Sequence, residues 1–173
     1  MLKFLAVTAA LILASCTASA PSGPPTLAQA TFQNGQVVQI KLDPNLDPAL
    51  KTAFENWVAQ GVYTNSPVYR KLPGIFLLTG KPRLAGYGFQ SGVIPTPNPK
   101  GKTPPSTTSS NIGLVVHADG TVGPELILQY GIGVVSCCEA PQNIRIGILT
   151  KGALKLHQVE RGDNLQNIVI ESQ

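Results

Sequence analysis

Val68-Tyr69-Arg70-Lys71-Leu72-Pro73-Gly74-Ile75-Phe76-Leu77-Leu78-Thr79-Gly80 reads as two short strands around a turn. Pro73-Gly74 supplies the turn, because proline presets φ and glycine accepts φ > 0. Arg70 and Lys71 are neighbours in the first strand, so their side chains point to opposite faces. One of the two cations must face inward or into a groove. Either its stem is buried with the head in water, or, for Arg70, the guanidinium is aimed at a ligand.

Upstream of this stretch, Asn34-Gly35 is a hairpin signal, and Val37 to Leu42 alternates as a half-buried strand ended by Asp43-Pro44. Asp47 is a good N-cap, and Pro48 suits the first helical position, where a missing N–H costs nothing. Leu50, Ala53, Phe54, Trp57 and Val58 follow at helical spacing, and Gly61 closes the helix. This amphipathic helix is expected to cover one open side of a sheet or barrel.

Downstream, Lys81 to Ser110 is a Pro- and Ser/Thr-rich connection that forbids regular structure. Asn111 to Val116 and Leu126 to Leu128 read as strands, with His117 to Gly123 as the loop between them. His117, alone in an Asp-Gly loop without a nucleophile partner, reads as solvated. Asn143 to Leu149 alternates as a strand, Gly152 to Val159 as a helix, Arg161-Gly162-Asp163 as a turn and Asn167 to Ile170 as a last strand. Periodicity alone allows either a barrel or a sandwich.

The N-terminal segment reads as an export signal. Met1-Leu2-Lys3 is a short basic start, and Phe4 to Ala14 is apolar but too short to span a bilayer. Leu13-Ala14-Ser15-Cys16 looks like a bacterial lipobox, which makes 1–15 the signal peptide and Cys16 the lipidated residue; an ordinary secretory signal cut near Ala20 is the alternative. Residues 16–30, with Pro21, Pro24 and Pro25, are expected to be an extended tether, leaving 31–173 as one domain. The formal charge of +4 falls to roughly +3 once Lys3 leaves with the signal. With no basic run or aromatic-interleaved basic patch, nucleic acid is not an expected partner.

Cys137-Cys138 is adjacent in the chain. Neighbouring Cα atoms lie about 3.8 Å apart, below the roughly 4.4–6.8 Å of ordinary disulfides. A vicinal disulfide, a redox switch and a metal site stay open beside a structural or incidental pair in a loop, which the sequence favours; no further Cys or His stands at ligand spacing.

The opening stretch resembles the cyclophilin-type peptidyl-prolyl isomerases, whose motif runs Phe-His-Arg-Val-Ile-Pro-Gly-Phe-Met-Ile-Gln-Gly-Gly-Asp. Laid on Val68 to Lys81 without gaps, it matches at Arg70, Pro73, Gly74 and Gly80. Three other segments fall in the family's order. Glu55-Asn56-Trp57, Gly61-Val62-Tyr63 and Tyr69-Arg70 follow its helix, Gly-Tyr-Tyr and Phe-His-Arg. Its Thr-Leu-Gly-Met-Ala-Asn-Ser-Gly-Pro-Asn-Thr-Asn-Gly-Ser-Gln-Phe-Phe-Ile lies without a gap on Asn111 to Leu128, with Gly113 and Gly123 coinciding. The C-terminal strand, short helix, Arg161-Gly162-Asp163 turn and closing strand also follow the family.

The resemblance implies a mainly β fold: a closed eight-stranded antiparallel barrel capped by two helices. It implies prolyl isomerisation, which needs no cofactor. The amide barrier of about 18–20 kcal/mol arises from partial double-bond character, and a guanidinium near the prolyl nitrogen stabilises the twisted bond. An acceleration of about 10⁵-fold takes roughly 7 kcal/mol of differential stabilisation. Arg70 matches the catalytic Arg. Ile75 and Phe76 stand at the pocket Phe and Met, Leu78 replaces the Gln that orients the Arg, and Glu125 replaces a second Gln, with Pro124 in place of the preceding Ser. Ile127 replaces a pocket Phe and Asn143 stands in place of a pocket His; the pocket Trp has no counterpart. Glu125 so placed is expected to share a cleft with Arg70 and draw on its charge. The expected protein is a monomeric, membrane-anchored isomerase of the cell envelope that takes proline-containing segments of exported proteins and whose activity is weakened by these replacements. A peptide-binding lipoprotein without turnover and a purely structural lipoprotein are the other readings.

Overall fold

The computed structural model describes residues 26–81, 94–95, 110–131 and 141–171. The signal segment 1–15, Cys16, most of the 81–110 connection and Cys137-Cys138 lie outside the described residues.

Period-2 patterning yields antiparallel strands. β1 (Leu27–Phe32) buries Ala28, Ala30 and Phe32 and exposes Gln29. It therefore begins inside the stretch expected to be tether, and the domain starts before residue 31. The small apolar residues here look like linker composition, and only their alternation marks a strand. The Asn34-Gly35 hairpin forms as expected, with Gly35 at φ 81° and its N–H on Phe32 O, and leads into β2 (Val37–Leu42).

The helix α1 (Pro48–Ala59) is capped by Asp47, whose carboxylate accepts from Ala49 N at 2.8 Å. Its apolar stripe puts Leu50, Phe54 and Trp57 in the core. β3 (Ser66–Pro67), β4 (Arg70–Leu72) and β5 (Phe76–Gly80) follow, with the Pro73-Gly74 turn between the last two and Gly74 at φ 73°. β6 (Ile94–Pro95) pairs with β8 (Thr121–Gln129), which itself pairs with β7 (Asn111–Val116). β8 is longer than its apolar run suggested, because it continues through Pro124, whose carbonyl accepts Lys81 N. β9 (Asn143–Lys151), a 3₁₀ helix (Ala153–Gln158) and β10 (Asn164–Glu171) complete the chain.

The sheet runs in the order β3-β10-β1-β2-β9-β7-β8-β5-β4, with β6 beside β8, and its named ladders are antiparallel. Among the described residues the sheet is curled and has ten strands where a closed eight-stranded barrel was expected, and no ladder between β3 and β4 joins the two ends of its path. The two ends are consecutive in the chain and are bridged covalently. Val68 N donates to Asp163 O on the β10 side, while Tyr69 N donates to Leu78 O on the β5 side. Side chains fasten the same seam, since Thr79 Oγ1 donates to Pro67 O at 3.2 Å and Lys71 Nζ reaches His157 O and Glu160 Oε1 at 2.9 and 2.8 Å. Lys71 is thus the inward cation of the Arg70-Lys71 pair, its side chain only 7% exposed.

The inner face of the curl holds the main core, including Phe32, Ile40, Phe54, Leu77, Leu114, Leu128 and Ile146. A second, separate apolar cluster of Phe76, Leu78, Val115 and Ile127 lies on the outer face of β5, β8 and β7.

Candidate active site

Strand register assembles the site from distant segments. Arg70 on β4 stands opposite Leu78 on β5, Leu78 opposite Ile127 on β8, and Ile127 opposite Gly113 on β7. Side chains two apart along a strand share a face, so Phe76 and Leu78, Glu125 and Ile127, and Gly113 and Val115 all belong to this surface. Asn143 joins it from β9, opposite Val115. Its side chain lies over Gly113: a Cβ at that glycine would stand 2.7 Å from Asn143 Oδ1. Close approach, rather than a turn, is what glycine provides there. Ile75 packs against the same apolar cluster from the turn. The residues singled out in the sequence, Arg70, Ile75, Phe76, Leu78, Glu125, Ile127 and Asn143, therefore meet on one face.

Arg70 is exposed, with Cζ 5.8 Å from the centroid of the Phe76 ring. That distance is within the range of about 6 Å at which a guanidinium is attracted to an aromatic face. The cluster beneath it is dry. Phe76, Leu78 and Ile127 are 0%, 3% and 1% exposed, so a prolyl ring can touch them only when they become exposed.

The carboxylate of Glu125 is also buried. Tyr69, the residue before Arg70, donates its hydroxyl to Glu125 Oε1. On the other oxygen, Oε2 faces His117 Nε2 at 3.9 Å. His117 is mostly buried, not solvated as its loop suggested. Burial, then the Glu125 charge and hydrogen bond, push the Tyr69 phenol well above its ordinary pKa, and the nearby Arg70 only partly offsets them. Tyr69 therefore stays protonated and a donor. Among the described residues, no three His, Cys, Asp or Glu side chains gather as a metal site. A hollow lined by Lys41, Asp43, Arg145 and Ile148, among others, lies on the β2–β9 side and contains none of the expected site residues.

No family model matches the chain, and no curated protein does. Solved structures do. The chain superposes on the cyclophilin type peptidyl-prolyl cis-trans isomerase of Cryptosporidium parvum with a TM-score of 0.66 and 17% identity, covering 87% of this chain and 99% of that one. The fold is cyclophilin-like. The Mimivirus cyclophilin gives a TM-score of 0.62 at 14% identity over 88% of this chain and 92% of its own. Cyclophilin AquaCyp293 from Hirschia baltica gives 0.57 at 14% over 83% and 73%.

On this cyclophilin-like frame, sequence reasoning found the strand residues of the face and missed two of the groups around Glu125. Tyr69 was visible only as the neighbour of Arg70, and His117 only as a loop histidine. The signal that could have found Tyr69 is the carboxylate that Glu125 brings into the cleft, which demands a donor wherever it is buried.

Proposed function

We propose that the chain is a peptidyl-prolyl cis-trans isomerase of low activity, anchored in the cell envelope through a lipid on Cys16 and acting on proline-containing segments of exported proteins. One observation carries the catalytic part: Arg70 stands over Phe76 at the edge of an apolar face that also holds Leu78 and Ile127, on a cyclophilin-like fold. A similar protein, again the Cryptosporidium parvum isomerase, was solved in the presence of the dipeptide Ala-Pro. In this chain an apolar patch would hold the prolyl ring, and the guanidinium would stabilise the lone pair that emerges on the prolyl nitrogen as the amide twists. Leu78 offers no hydrogen bond to steady Arg70, and Glu125 puts a negative charge on the same face. Both lower the differential stabilisation available to the twisted bond.

The test is turnover of a prolyl peptide by the full chain beside Arg70→Ala. Loss of a preorganised charged donor is expected to cost about 10²-fold or more. A parent rate equal to the uncatalysed rate overturns the reading, and an unchanged rate in the variant removes Arg70 from it. The anchor is tested separately: Cys16→Ala should leave the membrane fraction, and a variant that still sediments with membranes argues against lipidation.

A second reading, binding of extended peptide without turnover, is favoured by the replacement of a polar residue by Leu78 beside Arg70. It predicts saturable binding of prolyl peptides with no change in their isomerisation rate.

A further inference from the structure

The hollow on the β2–β9 side lies on the same face of the sheet as the outer apolar cluster. Leu78, Ile127, Gly113 and Arg145 form one row across β5, β8, β7 and β9. Phe76, Gln129, Asn111, Ile148 and Lys41 form the next row, which continues onto β2. Partners in register present their side chains on one face, so both rows run from the cluster to the hollow. The shift in the β7–β9 ladder between Ile112 and Gly113 lets Arg145 and Ile148, three residues apart, share the outer face while Ile146 stays in the core. In the hollow, Arg145 Nη2 holds Asp43 Oδ2 at 2.9 Å, and Lys41 makes no ion pair among the described residues. Two cations against one carboxylate leave a positive surplus. Leu42, Pro44 and Ile148 make the rest of the lining apolar, and Ile148 is 40% exposed.

We propose that this hollow is a subsite for an acidic side chain of the peptide whose proline is taken by the Phe76–Ile127 cluster. Size, charge and distance each narrow the ligand. The hollow encloses about 190 Å³, below the roughly 300–1,000 Å³ of pockets that take whole small molecules, so it suits a single side chain. The positive surplus selects an anion, and the apolar lining suits the methylenes of a Glu side chain better than a bare inorganic ion. Ile127 and Arg145 are two strand spacings apart, about 10 Å at roughly 4.8 Å each. An extended peptide rises about 3.3 Å per residue, so the carboxylate stands about three residues from the proline. The cluster end of this path is buried, whereas Arg145 and Ile148 are open to solvent, so the hollow is the part that a peptide meets first. As a substrate preference the inference rests on the isomerase reading; as a binding site it does not.

The experiment uses the full chain and blocked peptides that carry one proline and, three residues before or after it, either Glu or its neutral match Gln. Calorimetry measures the affinity, and the Ile148 δ1-methyl resonance, assigned by its loss in Ile148→Val, locates the bound peptide. In one of the two placements the Glu peptide should bind about three- to fivefold tighter than the Gln peptide, the reach of a solvent-accessible ion pair, and should move the Ile148 methyl. Lys41→Met keeps the stem, removes the charge and should bring the ratio close to one. Absent binding, no Glu preference in either placement, a methyl that stays put with peptide bound, or a preference that survives Lys41→Met overturns the proposal. A methyl that moves with phosphatidylglycerol vesicles but not with Glu peptides assigns the hollow to anionic headgroups and overturns it too. A Lys41-dependent preference in a protein that leaves the isomerisation rate unchanged supports the subsite and sinks the isomerase reading instead. Turnover without any Glu preference does the reverse.

Discussion

β5, β7 and β8 are buried on both faces, whereas β1 and β2 alternate between buried and more exposed positions and β10 buries only Leu165 and Ile168. Both groups belong to one curled sheet and share one interior. The difference is that the first group carries a second apolar cluster outside, with Glu125 and Asn143 buried beside it. This outer face is the one that brings Arg70, Phe76, Glu125 and Ile127 together. Polar groups buried at its margin must be paired, which is why the Tyr69–Glu125 bond belongs to this half of the molecule.

The comparison can be broken from the inside. Trp57→Ala removes an α1 side chain that is 3% exposed against the shared interior and should destabilise by about 3–5 kcal/mol, the cost of a large aromatic cavity. Denaturant unfolding measures it; a loss under about 1 kcal/mol would mean that α1 does not close the curl.

On the outer face, Ile127→Ala should cost about 2–4 kcal/mol in the same measurement, because a buried Ile→Ala leaves a cavity. A surface-like loss would show that the second cluster is not packed and that the two halves do not differ. At the seam, Lys71→Met keeps the buried stem but leaves the His157 carbonyl short of a donor, and should cost about 1 kcal/mol. No change in the unfolding midpoint would mean that the backbone alone holds the two ends of the sheet together. The smallest effect belongs to the one-sided half. Val169 on β10 is 54% exposed, so Val169→Ala should stay within about 0.5 kcal/mol of the parent. A larger loss would mean that this outer face is covered in solution.

Within the site, the pairing that the sequence suggested between Glu125 and Arg70 becomes a question of degree. Glu125→Gln removes a negative charge from the face while Tyr69 keeps its partner, so kcat/KM is expected to rise only about two- to threefold in the parent background. An unchanged or lower value would show that the charge of Glu125 does not oppose Arg70.

What the sequence determined by itself is local. The Pro73-Gly74 turn, the Asn34-Gly35 hairpin and the Asp47-capped helix with Leu50, Phe54 and Trp57 inward all formed as their residues dictated, because each depends on dihedral preference or on periodicity within a few residues. The site strands were found through family motifs, not periodicity, since strands buried on both faces show no alternation to read. The start of β1 was hidden because Ala-rich alternation has the composition of a linker. What only the tertiary structure decided depends on partners far apart in the chain. Tyr69 and Glu125 are 56 residues apart, and Lys71 and Glu160 are 89 apart. Which cation turned inward, which donor took the buried acid, and whether the sheet closed by a ladder or by a covalent bridge were set by register between strands. Spacing along the chain carries no record of it, because hydrogen bonds between strands pair any two segments that the fold brings to the same edge.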